Sequence, residues 1–126
     1  MLKFTKTTKV YEYMELSDDA KENAKTNNIE NTEFIAGDTE IVLDDLINNK
    51  KITPDVVMVD PPRKGLDNRT IENINKIKPN RVIYISCNPA TLIRDLAKFE
   101  ENYEIKSIQP VDMFPFTSNV ECVCVL

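Results

Sequence analysis

Histidine and tryptophan are absent from this chain, and glycine occurs only twice, at Gly37 and Gly65. Without imidazole the chain lacks the commonest general base and the commonest metal ligand of protein sites. Any acid–base chemistry therefore falls to Asp, Glu, Lys, Tyr or Cys. The three cysteines, Cys87, Cys122 and Cys124, are odd in number, and the last two alternate within an apolar strand pattern. That excludes a disulfide framework and a paired zinc-binding pattern, and no metal site is expected. No apolar run approaches the roughly 20 residues that span a bilayer, and Met1–Lys6 has no signal-peptide pattern, so the cytoplasm is the expected location. Basic residues are scarce in the first half: positions 1–60 carry 7 basic and 13 acidic side chains, and positions 61–126 carry 9 and 8. A self-sufficient nucleic-acid binder shows a basic face. Here the local cluster is Arg63, Lys64 and Arg69, so any grip on a nucleic-acid backbone is expected to come mainly from elsewhere.

What is present is a globular composition: 126 residues, 41% hydrophobic and 29% charged, enough for one domain with a real core. Strand patterns are predicted over Lys9–Leu16, Thr32–Ala36, Val56–Val59, Arg81–Ile85, Tyr103–Val111 and Val120–Leu126. Helices are predicted between them: from the N-cap Ser17 to Asn27, Thr39–Asn48, Asn68–Ile77, and from Pro89 or Ala90 to Phe99. Alternating strands and helices give an α/β fold with a mostly parallel sheet, and the last two strands add an antiparallel hairpin at its edge.

Two of the apolar strands end in polar, proline-stiffened loops. Val56–Val59 runs into Asp60-Pro61-Pro62-Arg63-Lys64-Gly65, and Arg81–Ile85 runs into Ser86-Cys87-Asn88-Pro89. Ligands of open α/β sheets bind beyond the carboxyl ends of the strands, so an acid and a potential nucleophile would share one crevice. Each residue also has a plainer reading. Cys87 can be a small buried hydrophobe, Asp60 and Asp38 turn formers, and Glu15 and Glu121 solvated charges. Arg63, Lys64 and Arg69 read as a solvated face, and Phe114 and Phe116 as core residues with base stacking as the alternative.

Three segments together resemble the RNA uracil-C5 methyltransferase family, which methylates uridine in ribosomal and transfer RNA with S-adenosylmethionine. They are Asp60-Pro61-Pro62-Arg63-Lys64-Gly65-Leu66, Ser86-Cys87-Asn88-Pro89-Ala90-Thr91-Leu92-Ile93-Arg94-Asp95, and Gln109–Pro115 continuing to Val120-Glu121. The resemblance implies a Rossmann-like class I methyltransferase sheet, with Cys87 as nucleophile and Glu121 as general base. It implies cofactor contacts at Asp60, at Asp38 near the adenine, and at Glu15, expected at a strand end, for the ribose hydroxyls. The chain departs from the family at Phe116 and Asn119, where histidines are usual. It also lacks the glycine-rich loop that follows the first strand of such folds. The resemblance thus implies that residues 1–126 form a single, partial catalytic domain without the first strand.

Three functions stay open on the sequence. One is a uracil-C5 RNA methyltransferase acting through a covalent cysteine adduct. The second is a non-catalytic α/β module that has lost a complete cofactor pocket and self-associates through exposed sheet edges. The third is an amino-methylating enzyme, which also uses an Asp-Pro-Pro loop but does not need Cys87.

Overall fold

The structure, a computed structural model, describes residues 7–11 and 15–126. The chain divides into two compact units, at Lys50 and Lys51.

In the first unit, β1 (Thr7–Tyr11), α1 (Glu15–Thr26), β2 (Thr32–Ala36) and α2 (Thr39–Asn48) follow one another. β1 and β2 pair in parallel from Thr7↔Thr32 to Tyr11↔Ala36. A helix between two parallel strands is a βαβ unit, the connection parallel pairing requires. Ala24 of α1 and Leu46 and Ile47 of α2 are buried. α1 begins earlier than predicted: the first strand stops at Tyr11, and Glu15 is the first helical residue. Glu15 is therefore not at the end of a strand.

In the second unit the order is β3 (Val56–Val59), α3 (Asn68–Ile77), β4 (Arg81–Ser86), α4 (Pro89–Leu96), β5 (Ser107–Val111) and β6 (Glu121–Val125). The sheet order is β3-β4-β6-β5. β3 and β4 are parallel, and β6 runs antiparallel to both β4 and β5. The closing hairpin therefore does more than add an edge, because its second strand enters the sheet beside β4 and leaves β5 outside. β5 is exposed along its whole length and contains Pro110, a residue tolerated on edge strands. It is also shorter than predicted. Tyr103 turns out of the strand, donating its hydroxyl to the Pro79 carbonyl at 3.0 Å and meeting Phe99 edge-on.

Alternation separates the two faces of this sheet. Val82, Tyr84, Ser86, Cys122 and Cys124 are buried on one face with Ile71 and Ile74 of α3 and Leu92 and Leu96 of α4. The other face carries Val56 and Met58, both exposed, and Ile83, Ile85, Val123 and Val125, all half-buried. α3 is amphipathic: Asp67 caps it by accepting from the Thr70 amide at 2.7 Å, and Lys78 ends it in the left-handed conformation at φ 47°.

Within the core, Tyr84 donates its hydroxyl to Asp95 Oδ2 at 2.7 Å. Burial, and secondarily the Asp95 acceptor, push this phenol well above its ordinary value of 10.0. Above that pH the unfolded chain releases a proton that the folded chain keeps. The associated stability is complete below pH 10.0 and is lost as pH rises towards the folded value. Urea midpoints should therefore fall more steeply above pH 10.0 for the wild-type chain than for Tyr84→Phe; equal slopes would contradict the buried hydrogen bond.

Candidate active site

The second unit brings three of the residues singled out by the sequence to one end of its sheet. Asp60 follows β3, Cys87 follows β4, and Glu121 opens β6. The order β3-β4-β6 puts the three carriers on adjacent strands. In the register, Val59 lies beside Tyr84 and Ser86 lies opposite Cys122. One step further along each strand places Cys87 opposite Glu121, and Asp60 level with Ile85. Side chains alternate along strands, and directly paired residues share a face. Ser86 and Cys122 are buried on the helix-covered face, so Cys87 and Glu121 belong to the other face, as does Asp60 two residues after Met58. Adjacent strands are about 4.8 Å apart and successive residues about 3.3 Å along a strand, so Asp60 and Glu121 lie on the two strands flanking β4, with Asp60 set back by two residues from the level of Cys87. Asp60 is exposed; Cys87 and Glu121 are half-buried.

The Cys87 turn is built by its neighbours. Ser86 Oγ donates to the Asn88 carbonyl at 2.9 Å and accepts from the Asn88 amide at 3.1 Å. Asn88 in turn caps α4, its Oδ1 accepting from the Ala90 amide at 3.1 Å, and Pro89 takes the first helical position, where its missing N–H costs nothing. The strand end, the turn and the helix start are thus one hydrogen-bonded piece with Cys87 inside it.

The Asp60 loop is held by the same helix. Its Pro62–Gly65 turn closes with the Gly65 amide on the Pro62 carbonyl at 2.9 Å. Asn88 Nδ2 and Thr91 Oγ1 both donate to the Arg63 carbonyl, at 3.2 and 3.1 Å. Arg94 Nη2 donates to the Lys64 carbonyl at 2.8 Å, and the Leu66 amide donates to the fully buried Asp95 at 2.8 Å. Gly65 sits at φ +79°, and a Cβ there would lie 2.5 Å from both Arg94 Nη2 and Asp95 Oδ2. The glycine is required by the closeness of helix and loop as well as by the backbone angle.

The third loop is tied in by Arg63, whose guanidinium donates to Asn119 Oδ1. Arg63 leaves the β3 side and Asn119 precedes β6, so this bond crosses the end of β4, the strand that carries Cys87. Asn119 stands where the family resemblance expects an imidazole beside the general base, and its partner is a guanidinium. In the same loop the Phe114 carbonyl accepts from Thr117 Oγ1 at 2.7 Å. Phe114 and Phe116 are both exposed, Phe116 completely and at a left-handed φ of 67°. The expectation that these phenylalanines pack in the core is therefore wrong: the turn stiffened by Thr117 projects them outward.

The two remaining candidates lie in the first unit. Asp38 is the N-cap of α2, its Oδ1 accepting from the Glu40 amide at 3.0 Å, and it is exposed. Its plainer reading as a local cap is satisfied. Glu15 is at the start of α1; its side chain lies outside the described residues. Among the described residues no group of three or more His, Cys, Asp or Glu side chains is placed to hold a metal ion. No helix among them is long and apolar enough to cross a membrane.

Sequence reasoning passed over the residues that hold the site together, namely Tyr84, Thr91, Arg94 and Asp95, and read Arg63 as merely solvated. One signal was available for Asp95. It lies on the apolar stripe of α4 with Leu92 and Leu96, and an acid on such a stripe is buried only when partnered.

The family described as tRNA (Uracil-5-)-methyltransferase matches residues 15–126. An RNA methyltransferase of Enterococcus faecalis is 53% identical over 109 residues, covering 86% of this chain and 24% of that protein. Among solved structures, the Pyrococcus abyssi tRNA (uracil-54, C5)-methyltransferase in complex with S-adenosyl-L-homocysteine superposes with a TM-score of 0.78 at 32% identity, over 94% of this chain and 28% of that one. A precorrin-6y C5,15-methyltransferase of Geobacter metallireducens superposes with a TM-score of 0.69 at 13% identity, over 94% of this chain and 65% of that one, and shows the shared fold. The chain spans about a quarter of the length of the curated relatives it matches.

The three thiols differ in access: Cys87 is half-buried, whereas Cys122 and Cys124 are 7% and 0% exposed. Burial also pushes the Cys124 thiol up. Iodoacetamide on the native chain should label Cys87 and spare the other two, with all three reacting in urea. Native labelling of Cys122 or Cys124 as fast as Cys87, read by mass spectrometry, would contradict this placement.

Proposed function

This chain belongs to the tRNA (uracil-5-)-methyltransferase family, and on that premise we propose that it forms the nucleophile-bearing part of an enzyme that methylates C5 of uridine in RNA. The observation that supports the reading is the pairing of Ser86 with Cys122 at the end of the β4–β6 ladder; continued by one residue, that register would face Cys87 towards Glu121 at the carboxyl end of the parallel strands. The chemistry needs this pair. Uracil C5 is a weak nucleophile. Addition of the Cys87 sulfur to C6 converts the ring to an enolate and places electron density on C5. After C5 has been alkylated, Glu121 removes its proton, the C6–S bond breaks, and the ring double bond returns. Cys87 and Glu121 therefore act on neighbouring carbons of one ring. A base held in a duplex cannot be reached this way, so the substrate is an unpaired or flipped uridine.

The acidic residues fit S-adenosylmethionine: exposed carboxylates such as Asp60 and Asp38 are acceptors for an ammonium, for ribose hydroxyls and for an exocyclic amine. In this reading Asp60 lies at the junction of uridine and cofactor, Asp38 serves the adenine and Glu15 the ribose. Bound there, the cofactor supplies the methyl group. The chain covers about a quarter of its relatives' length, and we assign the rest of the cofactor pocket and most of the RNA grip to polypeptide beyond it. The amino-methylating alternative has no use for the Cys87–Glu121 pair.

RNA carrying 5-fluorouridine has no C5 proton to remove. It should form a covalent adduct with the complete enzyme in the presence of S-adenosylmethionine, and Cys87→Ser should form none. Glu121→Gln should instead accumulate the adduct on ordinary uridine RNA. Turnover by Cys87→Ser at the wild-type rate would sink the proposal.

A further inference from the structure

We propose that Arg94 and Asp95 are positioning residues, which fix the Asp60 loop relative to Cys87 by clasping that loop to α4; the relevance of this to catalysis rests on the functional reading above. Cys87 immediately precedes Asn88, the N-cap of α4, so whatever holds the loop to α4 also holds it to the nucleophile. The clasp is made almost wholly of backbone contacts on the loop side. The carbonyls of Arg63 and Lys64 and the amide of Leu66 are each met by a side chain of α4 or its cap. Arg63 and Lys64 are themselves exposed, and the side chain of Leu66 anchors the end of the stretch in the core.

Asp95 is the fixed point. Its Oδ2 accepts from the Leu66 amide at 2.8 Å and from Tyr84 on β4 at 2.7 Å. Its Oδ1 accepts from Arg94 Nε at 2.9 Å and Nη2 at 2.7 Å. That pairing aims the guanidinium at the Lys64 carbonyl. One buried carboxylate thus joins β4, α4 and the loop after β3. The Asp95 carboxylate is buried and its Arg94 partner half-exposed, and such a pair contributes little net stability. Here all loop-side partners are main-chain groups, and Gly65 leaves no room for a side chain between them. The arrangement specifies position, which a packed Leu at position 95 would not.

The test uses three variants of the chain. Arg94→Lys removes the forked pairing with Asp95 and the Nη2 contact to the Lys64 carbonyl, and keeps the charge. Gly65→Ala pushes a methyl group against Arg94 and Asp95. Ile74→Val trims the buried face of α3, makes none of the clasp contacts, and serves as the control for stability alone. The first readout needs no enzyme activity: the rate of iodoacetamide reaction at Cys87. It should change about tenfold in Arg94→Lys and Gly65→Ala, with Cys122 and Cys124 still protected, and less than about twofold in Ile74→Val even where that variant melts earlier. The second, on the complete enzyme, is the rate of adduct formation with 5-fluorouridine RNA, expected to fall about 10- to 100-fold in the first two variants with RNA affinity unchanged. Cys87 reactivity that is unaltered in Arg94→Lys and Gly65→Ala, or that follows melting temperature across all three variants, would overturn the proposal. Absence of an adduct in the wild-type enzyme would instead count against the functional reading.

Discussion

The candidate site depends on the register between β4 and β6. Ser86 pairs with Cys122, which sends both inward and leaves their neighbours, Cys87 and Glu121, on the opposite face. A slip of one residue would bury one of the pair and expose a core residue, because side chains alternate with a period of two. The register is held by both neighbours of β6. It pairs with β4 over four residues and with β5 over five, and Leu126 continues the ladder with a reciprocal pair of backbone bonds to Val82. Inserting the second hairpin strand beside β4 is what makes the pairing possible: with β5 in that place, the Glu121 strand would lie at the edge, away from the nucleophile.

The three loops at this end of the sheet are linked directly. The Asp60 loop is bound to the cap and body of α4, and through Arg63 to Asn119. The Cys87 turn is fixed by Ser86 and Asn88. Active-site geometry needs this kind of support, since a displacement of about 1 Å can cost two orders of magnitude in rate. Proline at 61, 62 and 89, and the capping residues Asp67 and Asn88, stiffen the segments between strand and helix, so the functional side chains are carried by short, ordered connections.

Much of the second unit could be read from residue pattern. Val56–Val59, Asn68–Ile77 and Arg81–Ile85 carry strong apolar periodicity bounded by Asp, Asn and Pro, and each forms the element that pattern implies. Asp60 and Cys87 were visible because they end apolar strands. The spatial order of the hairpin was not legible: nothing in Ser107–Val111 or Glu121–Val125 alone says which of the two pairs with β4. The start of α1 was misplaced because Glu15 and Leu16 suit a strand end as well as a first helical turn, and only tertiary structure separates the two. Phe114 and Phe116 were misjudged because composition favours burying phenylalanine, whereas the turn closed by Thr117 holds them outward. The clasp on the Asp60 loop was hidden because its loop partners are backbone groups, which the one-letter sequence does not display.

The proposed chemistry requires Cys87 and Glu121 to be opposite one another. Residues opposed across antiparallel strands have Cα atoms about 4.5–5.5 Å apart, within the span a disulfide bridges. Mild oxidation of Glu121→Cys should therefore join Cys87 to the introduced thiol, a bond identified by peptide mapping. Failure to form that bond, with Cys87 still free in a chain that remains folded, would show that the nucleophile and the base do not face each other.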